Sequence, residues 1–218
     1  MIQPADFILA NTAWSRHALV PEIELALATH ITPIWQATES WLAREGIEPP
    51  FWAFAWPGSA AMARHLLDHP TLVAGKRVLD FAAGCGLAAI AAAQAGAASV
   101  EAAEIDPLAI EATCLNAARN QVSINLLADD IVGTPNRWDL ILCGDVCYEA
   151  PMTSHILPWL QTLARDACIW VADPGRAYLP RQGLSEFARY DVPTTRELED
   201  RDTRTTRLLR LEPQGAPA

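Results

Sequence analysis

From residue 76 to residue 172 the chain alternates between short apolar runs and longer segments of helical spacing. The runs at 76–82, 99–104, 123–128, 139–144 and 168–172 carry little polar interruption, the pattern of strands buried on both faces. Helices are predicted between them: 88–98, nearly all small residues; 107–120, with Pro107 at its first position; and 152–165. Strand–helix alternation of this kind predicts an α/β, Rossmann-like fold on a mostly parallel sheet. After Asp173 the pattern changes. Segments 184–192 and 203–211 are rich in β-formers with no full helix between them, and read as a terminal antiparallel pair.

Residues 1–57 precede the sheet. A helix is expected from Pro21 through Leu27, with proline in its first turn and Glu22 and Glu24 near the positive dipole end. A second is expected over 35–44, stopping near Gly46. Pro49-Pro50 then imposes an extended segment over 51–56, and Pro57-Gly58-Ser59 opens a helix through Leu67. The expected organisation is one domain overall: a helical extension over 1–57 packed on a core over 58–213, with 214–218 as a disordered tail.

Composition narrows this picture. At 218 residues and 51% apolar, the chain can bury one sizeable core. A net charge of −10 argues against a nucleic-acid partner, which needs a basic field, and suits a lysine-bearing partner or an ordinary acidic protein. Cys85, Cys114, Cys143, Cys147 and Cys168 are odd in number and sit mostly in apolar segments; no histidine completes a metal set with them. They read as reduced thiols of a cytoplasmic protein. The first residues lack the basic and apolar regions of a signal peptide, and no apolar run reaches membrane-spanning length. A soluble monomer is the expectation.

Candidate chemistry concentrates at strand ends. Asp80 closes an apolar strand, and Ala82, Ala83, Gly84, Cys85 and Gly86 lead into the alanine-rich helix, where glycines let backbone N–H groups approach a ligand. Glu104 ends the next strand, about 20 residues beyond the glycines, where a carboxylate can accept from ribose hydroxyls. Gly84, Gly86 and Ala89 also satisfy the dinucleotide pattern, so a nicotinamide-dependent oxidoreductase competes with S-adenosylmethionine (AdoMet) as the reading. Asp80 favours AdoMet, because an acid there can hold the cationic methionine end but would repel a pyrophosphate.

A second acidic exit follows at Gly144-Asp145, with Tyr148 three residues on, and belongs beside the glycine turn at the carboxyl ends of the strands. Gly144 is expected to let backbone approach the cofactor; Asp145 reads as a site acid or as a helix cap. Asp129 and Asp130 end another strand, where Asp130 is the candidate for the adenine amino group and either residue serves equally as a turn former. Asp173-Pro174-Gly175-Arg176 reads as a plain turn or as a loop presenting Arg176 to the substrate. Trp35 and Trp41 are expected to pack a lid, and Trp56 to cover the adenosine or attract the sulfonium by a cation–π contact.

Pro21-Glu22-Ile23, Pro49-Pro50-Phe51-Trp52-Ala53, Trp56-Pro57-Gly58, Gly84-Cys85-Gly86, Ile105-Asp106-Pro107, Gly144-Asp145-x-x-Tyr148 and Asp173-Pro174-Gly175-Arg176 occur in this order. From about residue 20 to residue 176 the chain resembles the lysine methyltransferases that modify the β subunit of electron transfer flavoprotein. They are seven-strand, class I enzymes with an acidic-x-x-aromatic motif after the fourth strand. The resemblance implies seven strands with the last two as a reversed hairpin, AdoMet as methyl donor and that β subunit as acceptor. It also implies that Asp145 and Tyr148 line the lysine channel, Asp145 holding the incoming ammonium. Glu104 stands where an aspartate is common, and Ala82-Ala83 where small Gly/Ser residues are usual. A methyltransferase acting on another protein or a small amine shares the same cofactor site, and a non-catalytic binder would have no need of the acids at 80, 104 and 145.

Overall fold

The computed structural model describes residues 3–28 and 49–213. The expected helix over 35–44, Trp35 and Trp41 within it, and the tail 214–218 lie outside the described residues. In chain order the elements are α1 (Pro4–Asn11), β1 (Ala13–Ser15), β2 (Leu25–Leu27), α2 (Pro57–Asp68), β3 (Arg77–Phe81), α3 (Leu87–Gln94) and β4 (Ser99–Ala103). There follow α4 (Pro107–Arg119), β5 (Asn125–Leu127), β6 (Leu140–Gly144), α5 (Ala150–Leu163), β7 (Cys168–Asp173), β8 (Leu184–Pro193), α6 (Arg196–Glu199) and β9 (Thr203–Leu211).

Seven strands form one sheet in the order β5-β4-β3-β6-β7-β9-β8. The first five are mutually parallel; β9 runs antiparallel between β7 and β8 and reverses the edge. Each central strand feeds two layers. Leu140 and Leu142 join the cluster under α2 and α3, while Ile141 and Cys143 join Trp138 and the inner face of α5. This explains why the strands read as unbroken apolar runs. In α3 the alanines let the helix lie close on the sheet, and Leu87 to Ala92 are all buried.

Two N-terminal expectations fail. Residues 25–27 form a strand paired with β1, not a helix. Side by side, Glu24 N and Ala26 N donate to the side-chain oxygens of Asn120 and Asn116 at 3.0 and 2.8 Å, donors that a helix would have used internally. Ile23 and Leu25 enter the main cluster while Ala26 faces the opposite one with Ile8 and Trp52, a period of two. The second failure is local: Phe51–Ala53 is a 3₁₀ turn, closed by Ala53 N to Pro50 O at 3.0 Å, and the extended backbone begins only at Phe54.

Candidate active site

The turn after β3 bends sharply, with φ of +56° at Ala82, +55° at Gly84 and +75° at Gly86. Glycine adopts this left-handed backbone freely, whereas a residue with a Cβ loses about 1–2 kcal/mol, so Ala82 is strained. The two glycines do different work. A Cβ on Gly84 would meet nothing within 4 Å, whereas one on Gly86 would stand 2.6 Å from Thr113 Cγ2. Gly84 thus borders open space, and Gly86 admits α4.

Asp80 is buried at the end of β3 and its Oδ2 accepts from Ala89 N at 2.8 Å. Burial pushes this carboxyl up to about 8, opposed by the Ala89 N–H and reinforced by the charge of Glu104. Glu104, at the exit of β4, is also raised by burial, against hydrogen bonds from the N–H groups of Asp106, Ile105 and Gly84. A buried and a half-buried acid on adjacent strands, both awkward to ionise alone, favour a ligand that brings a cation and hydroxyl donors.

Asp145 leaves β6 with φ of +57°. Its Oδ2 accepts a short hydrogen bond from Gly58 N, and its Oδ1 accepts from Arg176 Nε and Nη2 at 3.1 and 2.7 Å. Burial pushes the Asp145 carboxyl up to about 6, while Arg176 and the Gly58 N–H hold it down and Glu199 adds to the rise. A Cβ on Gly144 would stand 3.0 Å from Ser59 N, so the backbone that approaches it closely is the first turn of α2. Asp173 Oδ1 accepts from Gly175 N and Arg176 N at 2.6 and 2.8 Å. The segment after β7 is therefore a turn that also presents Arg176, inward onto Asp145.

Over this floor stands an aromatic rim. Trp56 caps α2, donates Nε1–H to Phe51 O at 2.8 Å, and has the Arg176 guanidinium 5.8 Å from its ring centre. Phe51 lies 6.0 Å from Trp56 and 5.6 Å from Tyr148, ring centre to ring centre, and Phe54 lies 6.1 Å from Trp56. Phe51 and Tyr148 are both exposed. Burial of its hydroxyl end raises Tyr148 above the usual phenol value, with Glu149 and Glu104 adding to the effect, so it stays protonated.

Asp80, Ala82, Gly84, Glu104, Asp145, Tyr148 and Trp56 all fall at the carboxyl ends of β3, β4 and β6 or on the turn of α2 facing them. Asp130 is different. Its Oδ1 accepts from Val132 N at 3.0 Å and its Oδ2 pairs with His155 Nε2 at 2.8 Å, which engages both oxygens and lowers the carboxyl, the Val132 N–H contributing most. Neighbouring Asp129 is exposed, with no hydrogen bond among the described residues. The sequence reading passed over Phe54, Asn116, Glu199 and Arg204. For Asn116 a signal existed, an amide in the middle of an otherwise apolar helix face; for Glu199 and Arg204, in a charge-rich connection, none did.

Fold and site together define a methyltransferase of the seven-stranded type. Residues 60–146 match the family profile of ribosomal protein L11 methyltransferase (PrmA). Among solved structures, the ribosomal protein L11 methylase of Lactobacillus delbrueckii subsp. bulgaricus shares the fold with a TM-score of 0.54 at 22% identity, over 74% of this chain and 81% of that one. Magnesium protoporphyrin IX methyltransferase (ChlM) from Synechocystis PCC 6803 with bound SAM gives 0.52 at 18% identity, over 70% and 77%. Sequence relatives are more specific. The electron transfer flavoprotein beta subunit lysine methyltransferase of Xenopus laevis is 36% identical over 96% of this chain and 87% of its own length. That of Danio rerio is 36% identical over 86% and 75%. The chain belongs to the electron transfer flavoprotein beta subunit lysine methyltransferase family.

Proposed function

We propose that this protein transfers methyl groups from AdoMet to lysine ε-amines of the electron transfer flavoprotein β subunit. The observation that carries the proposal is the juxtaposition of an open glycine turn, between buried Asp80 and half-buried Glu104, with an aromatic rim over the Asp145–Arg176 pair. These residues fit AdoMet: Gly84 leaves the space a ligand needs, and Asp80 and Glu104 are carboxyls that a cation and ribose hydroxyls would relieve. In this reading Asp80 serves the methionine amino end, Glu104 the ribose, and backbone at Ala82, Gly84 and Gly86 shapes the turn. Trp56 covers the cofactor. The adenine amino group falls to Asp129, because both oxygens of Asp130 are engaged.

When bound, AdoMet supplies an electrophilic methyl group to an unprotonated amine. A free lysine has a pKa near 10.4, so its proton must leave first. Phe51, Trp56 and Tyr148 strip water from the incoming side chain, which favours the neutral amine. Tyr148, held as a phenol, orients the nitrogen rather than acting as its base. Asp145 places negative charge at the floor, but its oxygens are already held by Gly58 and Arg176. Its role is to draw and align the ammonium end, with the proton passing to water. Five free cysteines suit a reducing compartment such as the cytoplasm. Among the described residues no helix is long and apolar enough to cross a membrane.

The test is radiolabelled methyl transfer to purified electron transfer flavoprotein, with mass spectrometry to locate the label. Label on β-subunit lysines, lost with Asp145→Ala while AdoMet still binds, supports the reading. AdoMet binding without label on that subunit overturns the acceptor; absence of AdoMet binding overturns the cofactor.

A further inference from the structure

We propose that Glu199, with Arg204 behind it, is a positioning residue for methyl transfer, acting through Arg176 on Asp145; this rests on the function proposed above. Glu199 ends α6, the single-turn helix joining β8 to β9. Its side chain is 1% exposed. Glu199 Oε1 accepts from Arg176 Nη2 at 2.5 Å, and Oε2 accepts from Arg204 Nε at 2.9 Å and Arg176 Nη1 at 3.3 Å. Arg176 Nη2 in turn donates to Asp145 Oδ1 at 2.7 Å. Carboxylates and guanidiniums thus alternate from the strand connection to the floor of the cleft: Arg204, Glu199, Arg176, Asp145.

Three features argue that this row serves the reaction. A buried ion pair is weak as a source of stability, since desolvation offsets most of its attraction, so its value lies in fixing geometry. Arg176 carries a rigid planar fork, and it is gripped at both ends: its backbone N–H by Asp173 and its guanidinium by Glu199. One orientation then satisfies Asp145, Glu199 and the face of Trp56 together. Without Glu199 the guanidinium loses that second anchor and can swing away from the acid and the indole. The groups facing Asp145 are Arg176 and Glu199 from one side, the Gly58 N–H from α2, and Cys147 from its own strand exit.

The experiment compares Glu199→Gln and Arg204→Lys with the wild type in three measurements: kcat and KM with the protein acceptor, calorimetric AdoMet affinity, and carbon-13 NMR titration of the Asp145 carboxyl. Misplacing Arg176 should lower kcat about 10- to 100-fold in Glu199→Gln, with AdoMet affinity held within about twofold. The Asp145 midpoint should rise, because a guanidinium that swings away no longer holds the carboxyl down, and this outweighs the loss of the negative Glu199. Arg204→Lys, which keeps the charge but loses the Nε–H on Glu199, should lower kcat less than Glu199→Gln does. An unchanged kcat and midpoint in Glu199→Gln would overturn the proposal. So would a parallel collapse of melting temperature and AdoMet binding, which marks a merely structural role. A wild type that transfers no methyl group overturns the functional reading instead, while the titration still reads the coupling of Glu199 to Asp145.

Discussion

The amide of Asn116 donates to the carbonyl of Cys85 at 2.9 Å, so a wholly buried residue of α4 holds the glycine turn by its backbone. The same side chain accepts from Ala26 N at 2.8 Å, and Thr113, one turn earlier, donates to Gly84 O at 3.1 Å. The N-terminal hairpin, α4 and the cofactor turn are therefore one mechanical unit.

Asn116→Ala would leave the Cys85 carbonyl and the Ala26 N–H buried without partners, each at about 1–3 kcal/mol. We expect a stability loss of about 2–4 kcal/mol in urea unfolding and weaker AdoMet binding. Unaltered AdoMet affinity in the folded variant would show that the turn keeps its shape unaided.

Gly58→Ala places a Cβ 2.7 Å from Asp145 N and 2.8 Å from Ala172 O, both backbone atoms that cannot give way. Overpacking of this kind costs about 1–3 kcal/mol. Displacement of α2 should also break the Gly58–Asp145 hydrogen bond and lower methyl transfer, read as a fall in melting temperature together with kcat.

Ala82→Gly should work in the opposite direction. Release of the left-handed strain returns about 1–2 kcal/mol, and the freer unfolded chain takes back about 0.4–1 kcal/mol. A net gain of about 0.5–1 kcal/mol is expected as a higher urea midpoint at constant slope. A loss would mean that the alanine methyl makes a contact worth more than the strain.

The pH dependence follows from carboxyls whose folded values lie above their unfolded ones. Asp80, pushed up to about 8, and Asp145, up to about 6, hold protons in the folded state that the unfolded chain releases near pH 4. Their contribution is full below pH 4 and is lost as pH rises through 6 and then 8, with a slope of up to about 1.4 kcal/mol per pH unit per group. Acids held low, such as Asp139 at about 2 beside Arg77, act only at the acidic end. Cofactor-free protein should thus lose stability between pH 5 and 8, and Asp80→Asn should flatten that loss. Identical pH profiles for the two proteins would remove Asp80 as its source.

Local pattern alone was enough for the core of the molecule. Strands buried on both faces, the alanine helix and the reversed terminal pair are written in spacings of a few residues, because hydrophobic periodicity and glycine or proline placement act over that range. So are the acids at strand exits, since a polar residue ending an apolar run has to emerge at the sheet edge where ligands of this architecture bind. Tertiary structure decided what depends on distant partners. Residues 25–27 became a strand because they pair with β1 and because Asn116 and Asn120, some ninety residues on, accept from the N–H groups of Ala26 and of neighbouring Glu24. Asp130 pairs with His155, twenty-five residues on, a contact that no local spacing announces. Glu199, in the connection between the last two strands, lies buried against Arg176, and Asp145 is thereby held by an arginine before any lysine arrives. A chain can declare its own periodicity, but which two of its many opposite charges meet depends on how the strands are ordered, and that is settled only when the sheet closes.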